Sequence, residues 1–467
     1  MINRRQLIQS LIATTVAGAT SSSLIAKAST TTPTSSAATV KPKGIAWKNW
    51  SGNLECYPQN RKAPQSIEAL QDLIKSSAKG LRPVGAGHSF SALVPTDETI
   101  LSTRAFSGLI EVNKSAKQAT IAGGTILSEL GPLLADHQQA LYNMPDIDQQ
   151  TLAGAISTAT HGTGKELGSL SSYVRELAII TADGVHRTCN ANQEADLFEA
   201  ARIGLGSLGV ITSVTMQNRT PFNLKRQSEW MTFEDALDQA LSAAKNNRNF
   251  EFYTIPFTGM VLTDRLNITD DAPSHSDEID ANDAVLDLKL ARDYLSWSNR
   301  LRKMILGGYM KTIKTSTNVD RSYSIYATER NVRFNEMEYH LPIEAGMTAL
   351  AEIKTLIEKD FPEVFYPIEC RFVRSDDLWL SPFYQRETIS IAVHRYFEED
   401  YDALFKAIEP IFQRHGGRPH WGKINTFSHE QFQQAYPKWD AFKAVRAHYD
   451  PQGKFLNPYL SRTFGLV

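Results

Sequence analysis

The sequence predicts an α+β protein built as two domains, and three observations point to it. The chain has 467 residues, well past the roughly 250–300 at which a single hydrophobic core stops growing. From Trp47 to about residue 220, short runs rich in Val, Ile and Thr alternate with amphipathic helical stretches. Beyond that point the glycine punctuation thins, longer helical segments begin, and a second β-rich part follows. The boundaries read this way are 45–220 and 221–420, with residues 421–467 returning to the first domain.

Taken in order, the chain begins with Arg4-Arg5, a weakly apolar stretch to Ile25, and Ala26-Lys27-Ala28. Residues 1–28 thus have the shape of a twin-arginine export signal, with a frayed amphipathic terminus as the plainer alternative. Such a route carries proteins already folded and implies a periplasmic or secreted protein that meets the export machinery. Residues 29–44, rich in Thr, Ser and Ala, read as a flexible tether. Ser66 caps a helix whose Ile67, Leu70, Leu73 and Ile74 share a face, with Gly80 as its stop. Strands follow near 81–84, 99–102 and 118–122, then a helix around 126–139 that buries Ile126, Leu130, Leu133 and Leu134. Residues 174–182 and 209–216 read as strands, and a helix lies near 195–202. Between Arg265 and Lys289 stand seven acids and no Lys or Arg, a solvated loop leading into a helix. Strands are expected over 322–340 and 366–397, with a helix over 343–359 between them.

Composition excludes several classes. With 42% hydrophobic and 21% charged residues the chain is an ordinary globular one. Lys+Arg 49 against Asp+Glu 51 gives −2; loss of residues 1–28 removes three bases and no acid, leaving 46 against 51, or −5. Neither value offers nucleic acid the basic field it needs. No run of some 18 apolar residues is present, so no stable membrane span is expected. Cys56, Cys189 and Cys370 are too few and scattered for a disulfide framework or a zinc site, although a Cys56–Cys189 bridge stays open. No metal site is expected.

Gly204-Leu205-Gly206-Ser207-Leu208-Gly209 matches the G-x-G-x-x-G dinucleotide pattern. That mechanism needs a strand before the glycines and a helix after them. Here the order is reversed, so the segment reads as a tight helix-to-strand turn. Val84-Gly85-Ala86-Gly87-His88-Ser89 is different: its glycines let backbone N–H groups approach an anion, and Ser89 adds a hydroxyl. A glycine turn with an incidental histidine is the alternative. The run from Leu152 to Gly164 is built of small and hydroxyl residues, poor as a core and well suited to wrapping a large polar ligand.

These two loops, the Gly204–Met216 segment, His420-Trp421-Gly422-Lys423 and the ending Asp450 to Pro458 resemble the vanillyl-alcohol oxidase superfamily. Within it the chain is similar to the aldonolactone and alditol oxidases, of which D-arabinono-1,4-lactone oxidase is one, from about residue 45 to the C-terminus. The resemblance implies a two-domain flavoprotein, an FAD-binding α+β domain plus an α+β cap over the flavin. It places His88 where family members bond histidine to the flavin, hence covalent FAD. With no cysteine between Cys56 and Cys189, a single attachment is expected. Val84, Gly85, Ala86, Gly87 and Ser89 complete that loop. Thr151, Gly154, Thr158, Ala159, Thr160 and His161 match pyrophosphate and ring contacts, Ile211 the adenine end, and His420 a flavin contact. The chain departs from its relatives at Pro145-Asp146-Ile147-Asp148, where Asp146 sets an acid beside the flavin.

In the second domain, strand alternation puts Glu369 and Arg371 on one face and Cys370 on the other. A surface ion pair is the ordinary reading of such a pair. Ser390, Ala392 and His394 share a face of a second strand. The order of Glu-x-Arg, strand His and His-Trp-x-Lys resembles the same oxidases and raises all three together. Hydride loss from a carbinol carbon needs a base for the hydroxyl proton and a cation for the charge that develops. The resemblance assigns Glu369 and Arg371 to the substrate hydroxyl, His394 to proton acceptance and Lys423 to the flavin or the substrate oxygen. Arg333 and Glu336-Met337-Glu338-Tyr339 resemble a family stretch with no role attached. The expected activity is oxidation of a sugar-derived alcohol, with O2 as acceptor and H2O2 as product. A periplasmic dehydrogenase using a cytochrome or quinone, and a glycan-binding module on a flavin fold, are the alternatives.

Overall fold

The structure, a computed structural model, describes residues 44–276, 281–327 and 330–466. The expected export signal and all but the last residue of the tether lie outside them.

The first part holds two principal sheets. A small antiparallel pair, β1 (Trp47–Lys48) and β2 (Glu55–Cys56), leads into a parallel sheet of β3 (Asn60–Lys62), β4 (Leu81–Val84) and β5 (Thr99–Ser102), ordered β3-β5-β4. The second is antiparallel: β6 (Leu109–Asn113), β7 (Gln118–Ala122), β8 (Val174–Ile180), β9 (His186–Asn190) and β10 (Val210–Gln217), ordered β6-β7-β10-β8-β9. The helix Ile67–Ser76 forms where expected, its Ser66 side chain accepting from the Ala69 N–H. Its buried Leu70 and Ile74 pack with Leu81, Leu101, Ile180, Val210 and Phe455, which ties the two sheets and the C-terminus together. The helix stops earlier than Gly80: Ser77 is already extended, and Gly80, at φ +82°, turns the chain into β4. The Gly204–Gly209 segment is the helix-to-strand turn, running from the helix Ala195–Ala201 into β10 through Leu205 (φ 54°) and Gly206 (φ 63°).

The second part is one eight-stranded antiparallel sheet. It comprises β11 (Asn223–Thr232), β12 (Asn249–Ile255), β13 (Met260–Thr269), β14 (Ser316–Arg321), β15 (Phe334–Pro342), β16 (Ile368–Val373), β17 (Thr388–Tyr396) and β18 (Arg418–Pro419). Their order is β14-β11-β13-β12-β16-β17-β15-β18. The helices Phe233–Asn246, Ile343–Asp360 and Asp402–Arg414 cover one face, burying Phe252, Tyr339, Cys370 and Ile391 among Leu350, Ile353 and Phe405. The opposite face lines a cavity that the helices Ala281–Leu295 and Asn299–Met310 help to enclose. Two expectations change here. The strand expected from residue 322 begins later: Ser322–Tyr326 is helical, with Ile325 and Tyr326 buried in the core of the first part, and β15 starts at Phe334. The strands β11 to β14 lie where longer helices were expected.

Arg82, 1% exposed, joins three distant pieces of chain. Its guanidinium donates to the carbonyls of Leu93 (2.8 Å), Leu205 (2.9 Å), Gly206 (2.8 Å) and Phe455. Burial lowers it to about 9, with Asp450 working the other way. Arg82→Met would leave four buried carbonyls without their donor. It is expected to cost about 3–5 kcal/mol, read as a lower urea midpoint, and an unchanged midpoint would show that the node is dispensable. Cys56, Cys189 and Cys370 are free and buried in three different apolar clusters, so the Cys56–Cys189 bridge does not form.

Candidate active site

Two connected cavities meet at the boundary of the two parts. The first is a narrow cleft of about 130 Å³, walled by Val84, Gly85, Ala86, Gly87, His88 and Ser89 after β4. Thr151, Gly154, Thr158 and Thr160 line it as well, together with Leu205, Gly206 and Ile211 and with His420, Gly422 and Lys423. Thr151 caps the helix Leu152–Ser157 by accepting from the Gly154 N–H at 3.3 Å. Gly85 must be glycine, since a Cβ there would come within 2.1 Å of Thr151 Oγ1. Ala159 does not face the cleft. Its side chain is fully buried at φ 60° in the turn after that helix.

The donor set of the cleft suits a dinucleotide. Among the described residues no carboxylate lines it, while hydroxyls, loop N–H groups and Lys423 do. A pyrophosphate asks for that balance. His88 stacks on Trp50 with centroids 5.4 Å apart. Burial, then the charge of Lys423, lowers its imidazole to about 4, so it is neutral at pH 7.

The second cavity, about 1250 Å³, is floored by the inner face of the eight-stranded sheet. Gln150, Thr160, His420 and Lys423 line both cavities, which makes them the junction. The His420–Lys423 tract is held along β15: His420 N–H donates to Glu338 O and Ile424 N–H to Glu336 O, each at 3.0 Å. Trp421 points away, fully buried against Phe432 and Trp439. Lys423 Nζ lies 2.5 Å from Glu336 and 3.9 Å from Glu338, both carboxylates almost wholly buried. The Gly422 N–H donates to His420 Nδ1 at 2.9 Å, so the ring proton sits on Nε2. Burial lowers His420 to about 3, with Glu338 opposing. His161 faces Gly162 O at 2.8 Å with one ring nitrogen and Glu338 at 3.0 Å with the other. Burial pushes the Glu338 carboxyl up, but His161, His420 and Lys423 together hold it well below its usual range.

Glu369 and Arg371 share the inner face of β16, with 2.5 Å between Arg371 Nη2 and Glu369 Oε1. Arg371 also reaches Glu251 at 3.1 Å and Asp146 at 3.6 Å. Burial lowers its guanidinium, and the surrounding carboxylates more than reverse that. Burial pushes Glu251 up to about 7 against the pull of Arg371. Cys370 faces the far core, as alternation requires. Asp146 lines the large cavity rather than the cleft, and it is paired with Arg330 as well as Arg371. The acid that looked out of place beside a flavin therefore stands between two guanidiniums. His394, on β17, is registered opposite Glu336 of β15, with 3.7 Å between Nε2 and Oε1. Glu251, Arg330, Glu336 and Glu338 belong to this site and carried no role in the sequence reading. The one signal was the Glu336-Met337-Glu338 alternation, which sets two acids on one strand face.

Residues 214–463 match the model of a family described as D-arabinono-1,4-lactone oxidase, and residues 58–190 match an FAD binding domain. The chain belongs to the D-arabinono-1,4-lactone oxidase family. It is 35% identical over 430 residues to the L-gulono-1,4-lactone dehydrogenase of Mycobacterium tuberculosis, covering 90% of this chain and 99% of that one. It is 31% identical over 439 residues to the L-gulonolactone oxidase of Mus musculus, covering 90% and 99%. The fold is shared with cholesterol oxidase from Brevibacterium sterolicum, at TM-score 0.75 and 16% identity over 90% of this chain and 96% of that one. The architecture is thus that of a vanillyl-alcohol oxidase-type flavoprotein. Like its family, the chain is an FAD-dependent oxidoreductase acting on CH–OH groups.

Proposed function

We propose that the chain is an exported oxidase that takes hydride from an alcohol carbon of an aldonolactone or alditol, with FAD bound covalently through His88 and O2 as the final acceptor. The observation that carries the reading is the junction of the cavities. There Lys423, His420 and Thr160 join a carboxylate-free cleft to a chamber walled by Glu336, Glu369, Arg371 and His394. When bound, FAD supplies the two-electron acceptor for the hydride, and the residues that would hold it are those of the 84–89 loop with Thr151, Gly154, Thr158, Thr160, Ile211 and His420.

The protein's own part is protons and charge. A carbonyl oxygen can only accept, so the His394 Nδ1–H donates to Pro367 O at 3.1 Å and Nε2 keeps its lone pair. That lone pair is the acceptor for the substrate hydroxyl proton, with the Glu336 carboxylate beside it to stabilise the imidazolium that results. Glu369, steadied by Arg371, accepts a hydrogen bond from a substrate hydroxyl and sets its orientation. Lys423 offsets the negative charge that develops at the junction. Support for export comes from Arg4-Arg5 and the small-residue site at Ala26–Ala28.

A second reading keeps the half-reaction and passes electrons to a cytochrome or quinone. It is favoured by the 35%-identical relative being named a dehydrogenase, whereas the oxidase from Mus musculus is at 31%. Stopped-flow mixing of the substrate-reduced holoenzyme with air-saturated buffer decides between them. Reoxidation within seconds is expected, and a protein that stays reduced for minutes is the dehydrogenase.

A further inference from the structure

The large cavity exceeds the roughly 300–1,000 Å³ of ordinary small-molecule pockets, at about 1250 Å³. Part of it adjoins the cleft, but it also runs across the sheet far beyond the residues that the proposed reaction uses. Strand register shows how. Glu369 of β16 is opposite Tyr253 of β12, Tyr253 opposite Leu262 of β13, and Leu262 opposite Trp230 of β11. Beside this row runs a second: Arg371, Glu251, Asp264 and Ser228. All eight side chains line the cavity. From Glu369 to Trp230 is three strand spacings of about 4.8 Å, some 14 Å, more than one six-carbon sugar can bridge.

We infer that this distal row is a second subsite, and that it takes a glycosyl unit attached to the substrate at the end remote from the reacting carbon. The inference rests on the sugar-alcohol reading above. The row combines two things a sugar ring needs. Trp230 and Tyr253, both half-buried, offer flat apolar surface to the C–H face of a pyranose. Ser228 and the buried Asp264, hydrogen-bonded to each other, and Asn318 beyond them offer polar groups to its hydroxyls. A hydrocarbon tail would fit this row badly, because it would press buried carboxylates against apolar surface with nothing to replace water. A monosaccharide would leave it unused.

The test uses FAD-loaded holoenzyme and three probes: glucitol, and its 4-O-glucosyl derivatives maltitol and cellobiitol. Steady-state kcat/KM is measured alongside equilibrium binding by calorimetry. At least one disaccharide alditol is expected to match or exceed glucitol in both. Trp230→Ala is expected to lower the disaccharide-to-glucitol ratio about tenfold or more. Because Trp230 packs against Ile255 and Met310, Leu262→Trp, which narrows the passage, serves as a second variant with the same expected fall. Glucitol turnover with both disaccharides rejected, or a ratio indifferent to both variants, overturns the subsite and leaves the proposed reaction standing. Disaccharide binding without oxidation of any probe supports the subsite and counts against that reaction. Absence of both binding and turnover for all three overturns the subsite, and a further failure on aldonolactones would remove the reaction too.

Discussion

Lys423→Met is expected to lower kcat/KM by about a hundred- to a thousandfold, mostly in kcat, with flavin content unchanged. The ammonium touches both cavities and sits 2.5 Å from Glu336 and 3.9 Å from Glu338. Removing one group placed where charge develops typically costs that much. Here the loss has a second part: without Lys423 two carboxylates of about 4% exposure face the reacting centre with one positive neighbour fewer. Lys423→Arg keeps the charge but cannot keep a compact point donor in the same place, so partial recovery is expected. Steady-state bleaching of the flavin absorbance measures all three proteins. A loss of less than tenfold would show that the junction charge is not used in the rate-limiting step.

The second large effect concerns the cofactor itself. Acid precipitation of the native protein should carry the yellow colour and in-gel fluorescence into the pellet, and His88→Ala should send them to the supernatant. The imidazole is neutral at working pH because burial lowers it to about 4, and a neutral ring nitrogen is what bond formation to an electrophilic carbon requires. His88 also forms the wall of the cleft next to Ser89 and Lys423. The variant should keep the fold, with thermal melting close to native, because the ring stacks on Trp50 at the cleft wall rather than in the core clusters. Colour released from the native protein would leave FAD bound without the covalent link.

How much of this could be read from the chain alone depends on what each residue has to do. Loops that wrap an anion with backbone must be written in Gly, Ser and Thr, so residues 84–89 and 152–164 announced themselves. Composition gives no direction, however, and the left-handed φ of Ala159 turns its side chain into the core. Glu369, Arg371 and His394 were placed on shared faces because alternation in a strand is strict. The strands β11 to β14 were missed for a related reason. In β11 the inward Arg226 and Ser228 alternate with the equally polar Lys225, Gln227 and Glu229, and in β13 the inward face mixes Leu262 and Leu266 with Asp264 because it floors a cavity, so the apolar alternation that marks a strand is blurred. Charge balance was the least legible feature. His161 and Glu338 are 177 positions apart in the chain, and Asp146 looked like an unpaired acid until the fold brought Arg330 and Arg371 to it.

The way the C-terminus closes the cleft sets an order of events during synthesis. Phe90 N–H donates to Gly422 O at 2.7 Å and the Ser91 hydroxyl to Trp421 O at 2.6 Å. Asn457 ties down the carbonyls of Ala92 and Pro95 at 2.8 Å each, and Arg82 needs Phe455 to complete its bonds. A nascent chain still held in the ribosome tunnel past residue 400 has the His88 loop and the hydroxyl wall, but not the far side of the pocket. Cofactor capture is therefore expected to wait for chain release, and a chain truncated before Trp421 is expected to retain no flavin.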